Sequence, residues 1–386
     1  MRHCNMKLRN LAHNAGMSNF QQALALAAHS LTLSNPNPRV GCVIVDADGR
    51  TLGEGFTQQR GGPHAEIMAL RDAASRGEDV IGSTVYVTLE PCAHHGRTPP
   101  CCDALIAARV SKVCIALRDP NPLVAGQGIA RLQAAGIAVE MAPAEVEAEA
   151  REINIGFMQR MEQGVPWVRL KTASSLDGMS ALANGESQWI TGDTARDDVQ
   201  HWRARACAVL TGSGTVVADD PLLNVRLPGA TRQPHLVIVD SRLRTPPTAR
   251  LFGVPDRKVW IVTVDRNTPG RDERRAALEA AGAEIITLDA GMDGRSDLRE
   301  LMRELGRREV NEVHVEAGAI LNGALLEAGL VDELLAYVAP MLLGPGRPLA
   351  ELPQLQRLSD ASRWGLHRME AVGDDLRLQL RKRKTA

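Results

Sequence analysis

The chain has 386 residues, 44% hydrophobic and 24% charged, with 45 Lys and Arg against 46 Asp and Glu. At roughly 100–200 residues per domain this length calls for two domains, and the composition excludes a disordered chain, a collagen-like fibre and a coiled coil. No apolar run approaches the ~20 residues of a membrane-spanning helix. Divided at Gly164, the halves carry 15 basic against 16 acidic side chains and 30 against 30. Neither has the positive balance of a nucleic-acid-binding domain.

Seven cysteines (Cys4, Cys42, Cys92, Cys101, Cys102, Cys114 and Cys207) are odd in number and unevenly spaced, which is not a disulfide framework. The first 16 residues are basic but lack the apolar stretch of a secretory signal. A reducing, cytoplasmic location is the expectation. Ser18 and Gln21 fit an S-x-x-Q capping box ahead of the Ala/Leu-rich run 23–31, which predicts that the first helix starts there.

Strand and helix patterns then alternate. Residues 40–45 read as a buried strand ended by the turn Asp46-Ala-Asp-Gly49. A helix over 64–75 is entered through Gly61-Gly62-Pro63, and strands are predicted at 84–89, 110–117 and 137–139. Helices fall at 101–109 and 125–135, so a largely parallel or mixed sheet covered by helices follows. An acidic helix over 145–161 runs into Glu162-Gln-Gly-Val-Pro166, where Gly and Pro end it and a strand restarts at Trp167. Beyond this boundary strands are predicted at 206–210, 235–239, 259–264, 284–288 and 313–316. Helices are predicted at 194–205, 274–281, 296–307 and 320–328. The basic tail Arg381-Lys-Arg-Lys384 reads as an exposed end.

The strongest chemical signal is His64-Ala-Glu66, followed by Pro91-Cys92 and Cys101-Cys102. Three N/S donors and a free carboxylate suit a catalytic zinc, which keeps a position open for water and lowers the pKa of that water to about 7. The order matches the zinc base-deaminase signature H-x-E…P-C-x-x-C, in which the Glu is general acid/base. Residues i and i+2 of a helix face different ways, so His64 and Glu66 converge only if His64 stands at the helix start. The second cysteine pair is spaced by eight residues, Ala93-His-His-Gly-Arg-Thr-Pro-Pro100, rather than two. Cys101 is favoured over Cys102 as third donor, with His94 or His95 a lesser alternative. His94, His95 and Arg97 suit contacts to substrate.

The second half lacks a Gly-x-Gly-x-x-Gly fingerprint. Val315-Glu-Ala-Gly318 and Thr211-Gly-Ser-Gly214 each follow a strand; the first leads into a helix, a natural anion site, though Gly after a strand is commonly only a turn. Lys171, one of six lysines, lies in an apolar strand, where a snorkelling side chain is the plainer reading. Glu186-Ser187-Gln188-Trp189-Ile-Thr191 combines polar groups and an aromatic plane. Asp219-Asp220-Pro-Leu-Leu223-Asn-Val-Arg226 ends in an Arg suited to bidentate phosphate binding.

Several runs together resemble the bifunctional deaminase/reductase of riboflavin biosynthesis: Asn35-Pro-Asn-Pro-Arg-Val-Gly41, Pro-His-Ala-Glu66, Tyr-Val-Thr-Leu-Glu-Pro-Cys92, His-His-Gly-Arg-Thr-Pro-Pro-Cys-Cys102 and Asp119-Pro-Asn-Pro122. The eight-residue insert is that family's own variant. Leu170-Lys171…Ser175-Leu-Asp-Gly178, Gly185-Glu-Ser-Gln-Trp-Ile-Thr191, Ala218-Asp-Asp-Pro221 and Val315-Glu-Ala-Gly318 are similar to its reductase half.

The resemblance implies an α/β fold of two domains. Residues 18–164 would form a cytidine-deaminase-like zinc domain, a mixed sheet flanked by helices. Residues 165–383 would form a dihydrofolate-reductase-like α/β domain using NADPH. It implies His64, Cys92 and Cys101 as zinc ligands and Glu66 as catalytic proton shuttle. Cofactor contacts are implied at Ala173, Trp189, Thr215, Asp219, Ser241, Gly318, Ala319, Ile320, Leu321 and Asn322. Substrate contacts are implied at Asn37, His94, Arg97, Lys171, Ser187, Arg203, Leu223, Arg226 and Glu316. The implied reactions deaminate 2,5-diamino-6-(5-phosphoribosylamino)pyrimidin-4-one and then reduce its ribosyl group. The partner is thus a small phosphorylated pyrimidine, with no nucleic acid and no membrane, and there is room for a homo-oligomer.

Overall fold

In the computed structural model, which describes residues 15–93, 99–121, 125–266, 268–291 and 294–383, the chain divides into two units, Met1–Gln163 and Gly164–Ala386.

The first unit runs α1 (Ala15–His29), β1 (Gly41–Val45), β2 (Thr51–Phe56), α2 (Ala65–Ser75), β3 (Thr84–Val87), α3 (Cys101–Ala107), β4 (Lys112–Ile115), α4 (Gln127–Ala134), β5 (Ala138–Met141), α5 (Ala144–Ile153) and α6 (Ile155–Gln163). Its sheet has the order β2-β1-β3-β4-β5. The β1–β2 hairpin and the β1–β3 pair are antiparallel, and β3–β4 and β4–β5 are parallel. β1 is buried on both faces: Cys42 and Ile44 join one apolar cluster and Val43 and Val45 another. Each such side chain contributes roughly 1.5–3 kcal/mol by leaving water. β2 carries α2 at very short range. A Cβ on Gly55 would fall 2.5 Å from the Ala69 nitrogen and 2.6 Å from the Ala65 carbonyl oxygen, so only glycine lets the helix start lie where it does.

Two local expectations change. α1 begins at Ala15, so Ser18 lies inside the helix rather than at its cap, and Gln21 instead donates to Glu149 at 3.3 Å. The helix predicted over 145–161 is two helices broken at Asn154 (φ −105°, ψ 17°). The Asn154 side chain accepts from the Arg39 N–H at 2.7 Å and donates to the Arg39 carbonyl at 2.8 Å. This outside partner competes with helix continuation in the way Asn side chains do.

The second unit runs β6 (Trp167–Ser175), β7 (Met179–Leu182), α7 (Asp193–Arg205), β8 (Ala208–Gly212), α8 (Ser213–Asp219), β9 (His235–Val239), β10 (Val259–Val264), α9 (Arg271–Ala280), β11 (Ala283–Leu288), α10 (Leu298–Arg307), β12 (Glu312–Val315), α11 (Ala319–Glu327), β13 (Glu333–Ala339), β14 (Gly346–Pro348), β15 (Trp364–Val372) and β16 (Asp375–Lys382). A nine-stranded sheet has the order β11-β10-β9-β8-β12-β6-β13-β16-β15. It is parallel from β11 to β13 and antiparallel over β13–β16–β15. Alternate residues face opposite cores: Leu210, Val237 and Val262 one cluster, Val209, Ile238 and Ile261 the other, as a strand buried on both sides requires. β7 and β14 pair in a small separate sheet.

The Gly-rich run after β8, which reads as a turn, is the helix α8. Its Gly, Thr and two Val residues are weak helix formers, and contacts with the sheet override that preference.

Candidate functional site

His64 is the N-cap of α2, with extended φ −76° and ψ 168°, and Glu66 lies in the first helical turn. The side chains two residues apart can therefore turn toward one point. Cys101 opens α3 behind Pro100, and Cys92 lies on the extended segment after β3. One ligand atom from each of His64, Cys92 and Cys101 lies within 4.8 Å of the other two. His64 Nδ1 is 3.3 Å from Cys101 Sγ and 3.6 Å from Cys92 Sγ.

Cys92 accepts from the Cys101 backbone N–H at 3.3 Å. Hydrogen bonds from Cys101 and His64 hold the Cys92 thiol well below its ordinary range. The partner thiol of Cys101 is pushed up by its bond to Cys92 and by burial. His64 is raised mainly by its contact with Cys92. Two sulfurs and one imidazole nitrogen at this separation fit the soft N/S donor set of zinc. Glu66, 4% exposed, stands beside them; burial pushes its carboxyl up to about 7, the range suited to a proton shuttle.

Cys102 points away: its thiol donates to the Pro91 carbonyl at 3.2 Å. The Cys92 loop has a second support that sequence reasoning missed. Buried Glu90 accepts from the backbone N–H groups of Asp119, Gly126 and Ile129 at 3.3, 3.0 and 3.2 Å. α4 meets this loop at Gly128, where a Cβ would fall 2.1 Å from the Pro91 carbonyl oxygen. A lone carboxylate at a strand end leaves no periodic signal, so only the fold shows its role. Asn37 is half-buried, its N–H donating to Ser34 at 2.8 Å. His94 and Arg97 lie outside the described residues.

In the second unit, β8 and β12 are parallel neighbours whose following segments lead in opposite directions, to β9 and to β13 across β6. The crevice outside the carboxyl ends of two such strands is where open α/β sheets bind ligands. α8 and α11 start there. Leu321 packs on Gly212, 3.4 Å from where a Cβ would stand, and the nearest atom to a Cβ on Gly318 is Thr215 Oγ1 at 3.9 Å. The backbone at Gly318 is thus an open cradle. Ala319 and Asn322 are buried and Ile320 is 55% exposed. Asn322 Nδ2 donates to Leu349 at 2.8 Å, while its buried Oδ1 has no hydrogen-bond partner among the described residues. Asp219 ends α8 and is exposed. Ser241 follows β9 and shares a 3.2 Å hydrogen bond with Ser296.

A second group gathers around Glu316, just beyond β12. Arg203 of α7 donates from Nε and Nη2 to its two oxygens at 2.5 and 2.9 Å and from Nη1 to the Asn224 carbonyl at 3.0 Å. Burial opposes ionisation of Glu316, but the charge and hydrogen bonds of Arg203 outweigh it and hold its pKa well below the carboxylate range. Lys171 lies mid-strand in β6; burial pushes its ammonium down, opposed by Glu316 and reinforced by Arg203. His314, fully buried 3.5 Å from Glu316, is pushed by burial down to about 3 and stays neutral. Leu223 is buried with φ 47°, and Arg226 is exposed. Ala173 sits opposite Tyr337 of β13 in the register. Ser187 and Trp189 lie on an exposed loop, with the Arg196 guanidinium 4.2 Å over the Trp189 ring. The structure thus joins Lys171, Arg203, Glu316 and the Leu223 segment, and separately Thr215, Gly318 and Leu321. Among the described residues, no hydrogen bond, ion pair or ring contact ties Ser187 or Trp189 to either group.

Comparison with known proteins agrees with this two-part layout. Residues 17–117 match the cytidine and deoxycytidylate deaminase zinc-binding region, and residues 166–378 match the RibD C-terminal domain. The riboflavin biosynthesis protein RibD of Haemophilus influenzae is 47% identical over 371 residues, 93% of this chain and 95% of that one. The chain belongs to the RibD family. The Escherichia coli member is 46% identical, over 93% of this chain and 97% of its own. The solved structure of Acinetobacter baumannii RibD has a TM-score of 0.85 at 43% identity, covering 96% of this chain and 99% of that one. A Thermotoga maritima structure, described as a diaminohydroxyphosphoribosylaminopyrimidine deaminase/5-amino-6-(5-phosphoribosylamino)uracil reductase, has a TM-score of 0.83 at 32% identity. It covers 95% of this chain and 99% of that one. Family membership and the two α/β units go together: a deaminase unit of mixed sheet and helices, then a reductase unit.

Proposed function

We propose that each unit performs one of two successive reactions of riboflavin biosynthesis, with the named residues in the roles that follow. The first unit deaminates 2,5-diamino-6-(5-phosphoribosylamino)pyrimidin-4-one. The second reduces the ribosyl group of the product, giving 5-amino-6-(5-phosphoribitylamino)uracil. The single observation that carries the reading is the His64, Cys92 and Cys101 cluster with buried Glu66 beside it.

His64, Cys92 and Cys101 would hold zinc, which when bound supplies a Lewis acid that makes water nucleophilic at neutral pH. Glu66 accepts the proton released by the attacking water and returns it to the departing amino group, so that ammonia leaves. Its burial keeps the proton affinity near neutrality, where both transfers are feasible.

In the second unit, Thr215, Gly318 and the first turn of α11 would hold NADPH, which supplies a hydride when bound. The open backbone at Gly318 and the start of α11 suit its anionic part. Ala173, Trp189, Asp219, Ser241, Ala319, Ile320, Leu321 and Asn322 are proposed as further contacts. Arg203, Glu316, Lys171, Leu223 and Arg226 are proposed to orient the phosphorylated substrate, with Ser187 as a further contact from its exposed loop. Asn37 is proposed to touch the pyrimidine in the first unit. The ion pair keeps the Arg203 fork rigid, and Arg226 remains exposed to meet a phosphate.

One assay tests both halves: incubation with the diaminopyrimidine, with and without NADPH, following ammonia and NADPH absorbance separately. Ammonia is expected in both samples and NADPH oxidation only after deamination. Absence of ammonia overturns the first assignment, and absence of NADPH oxidation on the deaminated substrate overturns the second. No helix among the described residues is long and apolar enough to cross a membrane. We place the chain in the cytoplasm, supported by six described cysteines that are all free. A homo-oligomer is likewise a proposal, decided by the mass of the protein in solution.

A further inference from the structure

Residues 222–226 belong to no strand or helix, yet a side chain from elsewhere holds the backbone of every one of them. Arg257 donates to the carbonyls of Leu222 and Leu223 at 2.9 and 2.8 Å. Arg203 donates to that of Asn224 at 3.0 Å. Gln233 takes both groups of Val225: its Oε1 accepts from the N–H at 2.8 Å and its Nε2 donates to the carbonyl at 2.9 Å. Gln200 accepts from the Arg226 N–H at 3.0 Å. The Gln233 pair reproduces with one side chain the two-bond exchange of an antiparallel ladder. The neighbouring Arg232 donates to the Ala204 and Ala206 carbonyls at 2.7 Å each. This ties the clamp to the end of α7, the helix that carries Gln200 and Arg203.

The clamped conformation is not one the segment would choose alone. Leu223 has φ 47°, a left-handed conformation that bulky residues avoid and that persists only where surroundings over-determine it. Val225 is buried, so its flanking residues Asn224 and Arg226 turn outward, and the Arg226 guanidinium donates to Asn224 Oδ1 at 3.2 Å.

We propose that Gln233 is a positioning residue of the reductase: its double hydrogen bond to Val225 fixes the segment that presents Leu223 and Arg226 to the substrate. This rests on the reading of those two residues as substrate contacts. Gln233 is the informative member of the clamp because it is neutral. Removing it leaves no buried charge behind, whereas removing Arg203 would strand the Glu316 carboxylate.

The test uses the full chain with Gln233→Ala, Gln233→Glu and Arg226→Ala. Steady-state reduction of the deaminated pyrimidine is followed by NADPH absorbance, and ammonia release by the first unit serves as a control. Losing two hydrogen bonds of ordinary strength is expected to raise KM for the pyrimidine about 10-fold, with kcat within about twofold and KM for NADPH unchanged. Gln233→Glu keeps the acceptor but sets a carboxylate against the Val225 carbonyl, so the same KM rises at least as much. Arg226→Ala raises it too. If Arg226→Ala raises KM while both Gln233 variants leave it unmoved, the proposal fails and the reading of Arg226 survives. If Arg226→Ala leaves it unmoved, the reading beneath the proposal fails. A joint loss of kcat and NADPH affinity with a lower Tm, or failure of both Gln233 variants to fold, shows a scaffold role and overturns the proposal.

Discussion

Arg203 meets Glu316 through two parallel hydrogen bonds, Nε to Oε1 at 2.5 Å and Nη2 to Oε2 at 2.9 Å. Both side chains are only 12% exposed. A lysine carries the same charge but cannot reproduce the fork. Arg203→Lys is therefore expected to lower the kcat/KM of reduction about 30-fold, the scale of about 2 kcal/mol for a lost hydrogen bond to a charged group. Ammonia release should be unaffected. An NADPH absorbance assay on deaminated substrate measures this, and a variant within threefold of the parent would remove Arg203 from the site.

Glu66 is buried beside Cys101, and its shape is preserved in Glu66→Gln. Loss of the proton shuttle is expected to slow deamination by about 100-fold or more. Zinc content, read by atomic absorption, should stay at the parent level, as should reduction of substrate supplied already deaminated. Ammonia release at the parent rate would exclude Glu66 as the shuttle.

The adjacent cysteines separate ligand from neighbour. Cys101→Ala is expected to lose zinc and deamination together, since its sulfur is one of three donors within 4.8 Å. Cys102→Ala should retain zinc, because that thiol faces the Pro91 carbonyl. Its cost is the lost thiol contacts and packing, about 1 kcal/mol or somewhat more. Retention of stoichiometric zinc in Cys101→Ala would reverse the assignment.

Under the second sheet lies a buried ion cluster. Arg169 bridges Glu312 at 3.0 Å and Glu333 at 2.5 Å, and Arg205 and Arg381 complete it at 2.8 and 2.9 Å. Burial opposes ionisation of Glu333, but Arg169 and Arg381 prevail and hold its pKa down, from 4.5 to about 2. A depressed carboxyl stabilises the fold above its unfolded value, and that contribution is lost as pH falls through the folded one. Urea unfolding should show this contribution complete above about pH 4.5 and declining toward pH 2. Glu333→Gln should flatten that acid limb and cost roughly 3–5 kcal/mol at neutral pH. Identical pH slopes for parent and variant would refute the linkage.

The alternation of short apolar strands with helices was legible because β1, β8 and β10 are apolar on both faces. The zinc cluster was legible for a different reason. His64 and Cys101 lie at helix starts, where Pro63 and Pro100 mark the geometry in the sequence itself. The last strands were not read. β16 alternates Leu with Arg and Gln, but Arg377 and Gln379 are its buried residues and Leu376 is exposed, the reverse of the expected pattern, and the edge strand β15 shows no clear period. α8 was hidden by weak helix formers. The clamp on residues 222–226 was invisible because Gln200, Gln233 and Arg257 are brought to it only by the folded sheet, from positions scattered over 58 residues of sequence.

The break at Asn154 bears on how the enzyme is dissected. The deaminase match ends at residue 117, yet the N–H and carbonyl of Arg39 close on Asn154, and the Arg39 guanidinium reaches the Ile153 carbonyl at 2.8 Å. A fragment cut at the end of the recognisable motif would take away these partners of Arg39 beside β1. It would also strip Val146, Ala150, Phe157 and Met158 from the apolar cluster. A separately expressed deaminase must therefore carry α5 and α6, and fragments trimmed to the signature alone are expected to aggregate.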